Sequence, residues 1–201
     1  MTSRTRRILL INGSYRDDGI TDQAVQAMAD AAVRAGADVE QILLRERPIE
    51  FCLNCRHCTQ APGHSPGECV HEDDMREIVA AIERADAYVL AAPTNFGSVT
   101  AVFKRFMERL VVFAYWPWEA KYPEYRREAR KPAVLISSSA APGILGRWMF
   151  GSLRQLKTTA RTIGAKPVGS LFTGMIATAP DRKLPESAVR NAEVLTARLL
   201  D

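Results

Sequence analysis

Arg6-Arg7-Ile8-Leu9-Leu10-Ile11-Asn12-Gly13-Ser14-Tyr15-Arg16-Asp17-Asp18-Gly19-Ile20-Thr21 is the stretch whose reading decides the fold. Residues 8–11 are β-branched or leucine, too few for a helix, and stop at Asn-Gly. They read as a strand buried on both faces of a parallel sheet. The polar loop that follows empties into a helix at Thr21. Such a junction turns free backbone N–H groups, the positive end of a helix dipole, two hydroxyls (Ser14, Thr21) and the Arg16 guanidinium toward one small volume. That donor set suits a phosphate monoester, and an ordinary turn with Thr21 as N-cap fits the same residues. Gly13 and Gly19 are six apart and no Gly-Lys-Ser/Thr follows, so the loop matches neither a P-loop nor a dinucleotide fingerprint. The implied phosphate belongs to a mononucleotide.

Working outward, Ala24, Met28, Ala31, Ala32 and Ala35 share one helical face, and Gly36 ends that helix at the C′ position. Residues 39–44 form a second strand, and an irregular stretch runs to about His71, long enough to be functional or flexible. Asp73 and Asp74 open a helix with Met75, Ile78, Val79 and Ile82 as its buried stripe. Residues 87–92 are a third strand ending in Pro93-Thr94-Asn95-Phe96-Gly97-Ser98. The next helix buries Val99, Val102, Phe103, Phe106 and Leu110. Residues 111–131, with two prolines besides Trp116 and Trp118, exclude a regular helix and read as a protruding aromatic connection.

Residues 133–137 are a fourth strand, and Ser137-Ser138-Ser139-Ala140-Ala141-Pro142-Gly143 leads into a helix whose Met149, Leu153, Leu156, Ala160 and Ile163 face inward until Gly164. Residues 168–172 are the fifth strand, and a last helix from about Pro185 buries Val189, Ala192, Leu195 and Leu199. Five strands alternating with five helices call for an α/β three-layer sandwich, a five-stranded parallel sheet of order 2-1-3-4-5 covered on both faces. Ligands then bind beyond the carboxyl ends of strands one and three, where loops one, three and four converge.

Composition sets the bounds. At 201 residues and 47% hydrophobic content the chain is read as a single domain, 1–201. Its net charge is 27 − 23 = +4, and the surplus is local: residues 121–131 carry five basic and two acidic side chains. A solvated basic face and an anionic nucleotide partner both fit. No aromatic-interleaved basic helix points to nucleic acid. The N-terminus lacks a signal-peptide core and no apolar run approaches a membrane span, so a cytoplasmic protein with reduced thiols is expected.

With Gly-Ser-x-Arg-x-x-Gly-x-Thr at 13–21 and Pro-x-x-Phe-Gly-Ser at 93–98, nearly the whole chain resembles the flavodoxin-like NAD(P)H-dependent FMN reductases, and especially the iron–sulfur flavoprotein branch. The resemblance implies FMN phosphate at Ser14, Arg16, Ile20 and Thr21, and isoalloxazine contacts from Pro93, Thr94, Asn95, Phe96 and Gly97. Ser138 and Ser139 would meet the pyrimidine side of the ring. Tyr15 stands where relatives often have Pro, and Ile20 where Asn is common. The implied activity passes a hydride from NAD(P)H to bound flavin, then on to a flavin, quinone or other small electron acceptor. That needs positioning but no catalytic acid–base dyad. A homodimer or homotetramer is also implied, with Trp116, Trp118 or the basic run covering the ring or lying in an interface.

All four cysteines (Cys52, Cys55, Cys58, Cys69) and all three histidines (His57, His64, His71) fall within twenty residues. Three cysteines at x₂ spacing and a fourth ten residues on match thiolate ligation of a [4Fe–4S] cluster; a Cys/His set for zinc, or thiols without metal, remain open. The competing function is an electron carrier that links a cluster to FMN and has no nicotinamide site.

Overall fold

A computed structural model of the chain describes residues 4–142, 146, 149–175 and 181–201. The long strands are β1 (Arg7–Asn12), β2 (Asp38–Leu43), β3 (Ala87–Ala91), β6 (Lys131–Ser138) and β7 (Ala165–Thr173). All pair in parallel in the order β2-β1-β3-β6-β7, which is the expected order with the two later strands renumbered. The helices are α1 (Ile20–Arg34), α2 (Met75–Arg84), α3 (Ala101–Arg109), α4 (Ser152–Thr162) and α5 (Glu186–Leu200).

Side-chain alternation in β1 explains the layers. Leu9 and Ile11 join a core with Ile78 and Ile82 of α2, Phe103 and Phe106 of α3, and Leu156 of α4. Ile8 and Leu10 face the other way, onto Met28 of α1 and Leu195 and Leu199 of α5. A strand apolar on both faces therefore sits at the centre of the sheet, as its sequence requires. The outer strands β2 and β7 are only partly buried. Gly36 and Gly164, with φ of 82° and 78°, follow α1 and α4 where a left-handed residue closes the last turn.

Several details differ from the sequence expectations. Residues 111–131 contain a two-stranded antiparallel ladder, β4 (Ala114–Tyr115) with β5 (Glu124–Tyr125), too short to show any periodicity. Met149 lies ahead of α4 and is 70% exposed, and Val189 and Ala35 are exposed rather than inward. Gly143, expected in the turn after the fourth strand, lies outside the described residues. No helix among the described residues is long and apolar enough to cross a membrane.

Candidate functional site

The turns after β1, β3 and β6 meet at one end of the sheet around a cavity of about 280 Å³. Ser14, Arg16, Ile20, Thr21, Pro93, Thr94, Asn95 and Ser138 all line it, so eight expected contacts come together. Arg182, which the sequence reading did not single out, lines it too. Helix α1 starts on Gly19, with no side chain capping its first turn. Thr21 is not its cap: it lies one residue inside the helix and its hydroxyl pairs with Ser138 Oγ at 3.0 Å. A helix start lined by an open cavity and lacking a side-chain cap is a ready anion site.

Loop one is held from below. Asn12 Oδ1 accepts from the Ser14 N–H (2.9 Å), and Asn12 Nδ2 donates to Asp22 Oδ1 (2.7 Å). Arg45 Nη1 lies 3.2 Å from Asp22 Oδ2 and donates to the Ser14 carbonyl at 3.2 Å, while its Nη2 pairs with Asp17 (2.6 Å). Asn12 is fully buried and Arg45 nearly so. In the sequence Asn12 reads only as the strand's stop, and no local pattern marks Asp22 or Arg45 as supports of the loop.

The β3 turn behaves differently. Asn95 and Ser98 exchange backbone hydrogen bonds (2.8 and 2.9 Å) around Phe96 and Gly97, both at positive φ (47° and 75°), the pattern of a type I′ turn. A left-handed phenylalanine is strained. Its ring, expected as the flat contact of a flavin, is 110% exposed and does not line the cavity, nor do Gly97 and Ser139. The Thr94 and Asn95 N–H groups are taken by the Ser138 and Ser98 carbonyls. Ser139 instead bonds the Ala141 carbonyl. Hydroxyls of Thr94, Ser137 and Ser152 tie the turn to β6 and α4 at 2.9–3.4 Å.

The cysteines form a second site. Cys52, Cys55, Cys58 and Cys69 all line one cavity of about 40 Å³, roofed in part by Leu53, Val70 and Trp116. Asn54 and Arg56, flanking the exposed Cys55, both adopt left-handed φ, 52° and 55°. Burial, then the neighbouring Cys69, Cys52 and Cys55 sulfurs, push the Cys58 thiol up to about 11. Arg109, on α3, donates Nη2 to Cys69 Sγ (3.4 Å) and Nη1 to the Glu50 carbonyl (2.8 Å). It forms a buried pair with Asp73 at 2.5 and 3.0 Å. Burial pushes the Asp73 carboxyl up, but Arg109 and the Glu50 and Met75 N–H groups outweigh it and hold the carboxyl below its usual range. Arg109 occupies an inward position, three after Phe106 on the apolar stripe, and that misfit is the signal that could have found it.

Among the described residues, no group of three His, Cys, Asp or Glu side chains is arranged to hold a metal ion. Two of the histidines bond main-chain carbonyls through one ring nitrogen each: His64 Nδ1 engages Arg126 (3.1 Å) and His71 Nε2 engages Phe51 (3.0 Å). Trp116 and Trp118, expected over the flavin or at an interface, sandwich the Arg56 guanidinium at 4.0 and 4.4 Å within this chain.

This sheet order, with three turns converging beyond its carboxyl ends, defines a flavodoxin-like fold. The profile of the NADPH-dependent FMN reductases matches residues 6–177, and the chain belongs to that family. An iron–sulfur flavoprotein of Archaeoglobus fulgidus is 32% identical over 107 residues, 53% of this chain and 46% of that protein. One from Methanocaldococcus jannaschii is 31% identical over 103 residues, 51% of each chain. The matched region thus spans about half the length of these curated relatives. An NAD(P)H:quinone oxidoreductase from Methanothermobacter marburgensis superposes with TM-score 0.65 at 19% identity, covering 96% of this chain and 94% of that one. An FMN-dependent NADH-azoreductase from Bacillus anthracis, solved with FMN, superposes with TM-score 0.66 at 12% identity over 98% and 100%. These two share the fold.

Proposed function

We propose that this chain is a single-domain cytoplasmic enzyme that oxidises NAD(P)H through FMN held in the 280 Å³ cavity and passes the electrons to a small acceptor, a flavin or a quinone. The carrying observation is the uncapped start of α1 facing residues from three separate turns. Ile20 and Thr21 would offer backbone N–H groups to the flavin phosphate, with Ser14 and Arg16 closing around it. Pro93, Thr94 and Asn95 would bound the ring, and the exposed Phe96 with the half-buried Gly97 would act on a partner copy in a homodimer or homotetramer. Ser138 lines the cavity and would meet the ring, and Ser139, the next residue along, would act from outside the lining. Bound FMN would supply a hydride acceptor, and the task of the residues around the cavity would be to orient two rings and exclude water.

A second reading is favoured by one observation: all four cysteines line a single cavity. The relatives named iron–sulfur flavoproteins support it. A four-iron cluster takes one thiolate per iron and therefore spreads its ligands wider than a single ion does. Cysteines that share a cavity without converging on one ion fit that spread, and Arg109 sets a buried cation beside Cys69. Because the cavity is about 40 Å³, little more than one water's share of liquid volume at about 30 Å³, the turn carrying exposed Cys55 must swing outward to admit a cluster.

An absorption spectrum with iron analysis of oxygen-protected protein, followed by addition of NADH and NADPH, tests both. Flavin absorbance, no iron and rapid nucleotide oxidation support the enzyme alone. Iron with no nucleotide oxidation supports a carrier, and iron with oxidation supports both centres in one chain. Protein that binds neither FMN nor iron overturns both readings.

A further inference from the structure

Among the described residues, the lining of the 280 Å³ cavity includes two arginines, Arg16 and Arg182, and no carboxylate. Arg16 sits in loop one. Arg182 comes from the segment between β7 and α5 and has to be brought to the cavity from the far end of the chain. The side-chain amide of Gln23, in the first turn of α1, does this. Its Oε1 accepts from the Leu184 N–H (2.8 Å), while its Nε2 donates to the Arg182 carbonyl (3.1 Å) and to the Asp18 carbonyl (2.7 Å). One amide thus engages the main chain on both sides of Lys183, as a neighbouring strand would, and ties that segment to loop one. Lys183 adds an exposed pair with Asp18 at 2.9 Å, worth little alone.

From that anchor the half-buried Arg182 side chain runs away from α1. Its Nη1 donates to the Met175 carbonyl, and the Met175 N–H donates in turn to the Ala141 carbonyl at 3.0 Å. Ala140, the preceding residue, lines the cavity as Arg182 does. Arg182 therefore spans from the start of α1 to the turn after β6, fixed at both ends. Two arginines and an uncapped helix start facing one cavity favour a ligand in proportion to its negative charge. A phosphate monoester carries nearly two such charges above its second pKa of about 6; a diester carries one and riboflavin none.

We infer that Arg182 is a second phosphate-binding residue, that with Arg16 it makes the cavity selective for a flavin bearing a dianionic phosphate monoester, and that Gln23 is the positioning residue that brings it there. This rests on the reading of the cavity as a flavin site.

The test titrates FMN, riboflavin cyclic phosphate (a monoanionic diester) and riboflavin into the flavin-free chain at about pH 8, above the second pKa of the monoester. Affinities are read from flavin fluorescence, and thermal unfolding checks folding. The variants are Arg182→Ala, Arg182→Lys, Gln23→Ala, the double Arg182→Ala/Gln23→Ala, and Arg190→Ala as control. Arg190→Ala removes the same charge from the exposed face of α5, where Arg190 pairs with Glu186, and should match wild type. Arg182→Ala should weaken FMN about tenfold, the size of one charge-assisted hydrogen bond. It should weaken the diester about threefold, because half the ligand charge halves the Coulomb energy, and riboflavin by less than about twofold. Arg182→Lys keeps the charge and should lose less FMN affinity than Arg182→Ala. Gln23→Ala should weaken FMN several-fold by itself and add nothing in the Arg182→Ala background. Equal losses for the three flavins, or no loss of FMN in Arg182→Ala, overturn the inference and leave the flavin reading standing. Additive losses in the double variant overturn the role of Gln23. If Arg182→Ala does not fold, equal losses of FMN and riboflavin in Gln23→Ala overturn the inference instead. A wild-type chain that binds none of the three flavins removes the flavin reading, and the inference with it.

Discussion

The two candidate sites of this molecule are built by different means. The proposed flavin cavity is made of turns that follow their strands directly, and its first turn begins with local bonds, Asn12 to Ser14 and Ser14 to Arg16 within five residues, which Arg45 then braces from 31 residues on. The cysteine face is stitched from segments 40 to 70 residues apart by buried arginines, Arg109 to Cys69 and Arg126 to Cys58 and Ala61. Local chemistry is written in motifs. A long-range clamp is not, because any exposed arginine spells the same letter.

The sharpest way to break this contrast is to remove a clamp. Arg109→Met leaves the Asp73 carboxylate buried without its partner and should cost about 3–5 kcal/mol, read as a fall in urea midpoint; an unchanged midpoint would mean that the pair carries no stability. The same pair predicts acid sensitivity. Asp73 titrates lower in the folded chain than in the unfolded one, so its contribution is complete above the unfolded carboxylate range and lost as pH falls through and below it. Asp73→Asn should flatten that part of the stability–pH curve.

Next in size is a crossed pair of substitutions. Cys58→Ser should abolish iron uptake and leave FMN affinity within twofold. Arg16→Ala should weaken FMN about tenfold, or about 1.4 kcal/mol, while sparing riboflavin and iron. If either variant damages both sites equally, the two sites are not independent.

A smaller effect is expected from Arg45→Ala, which frees the Ser14 carbonyl and unpairs Asp22. FMN binding should weaken several-fold, and riboflavin binding less. The smallest is Phe96→Gly. It relieves a left-handed phenylalanine and should raise stability by about 1 kcal/mol, measured by thermal unfolding of the flavin-free chain, while weakening self-association if the exposed ring packs on a second copy.

The parts of the fold that could be read from sequence are those where one physical rule dominates. Residues 8–11 and 87–91 are apolar on both faces and became central strands, and Gly36 and Gly164 marked the helix ends where they stood. Phe96 broke that logic, since hydrophobicity predicts burial and the type I′ turn instead pushes the ring outward. Arg126 broke it in the other direction. Within a run of five basic and two acidic residues it looks like solvated surface, and only the carbonyls of a loop sixty residues earlier show otherwise. The β4–β5 ladder is two residues per strand, below the length at which any period can be counted.

Helix α1 starts on a glycine and takes no side chain to finish its first turn. Whatever anion occupies that spot is then a piece of the folded structure as well as cargo. Flavin-free protein stored in phosphate should unfold later on heating than in a buffer without oxyanions, and its amides at residues 20–22 should exchange with solvent more slowly. Stripping the yellow cofactor would then fray a helix, not merely empty a hole.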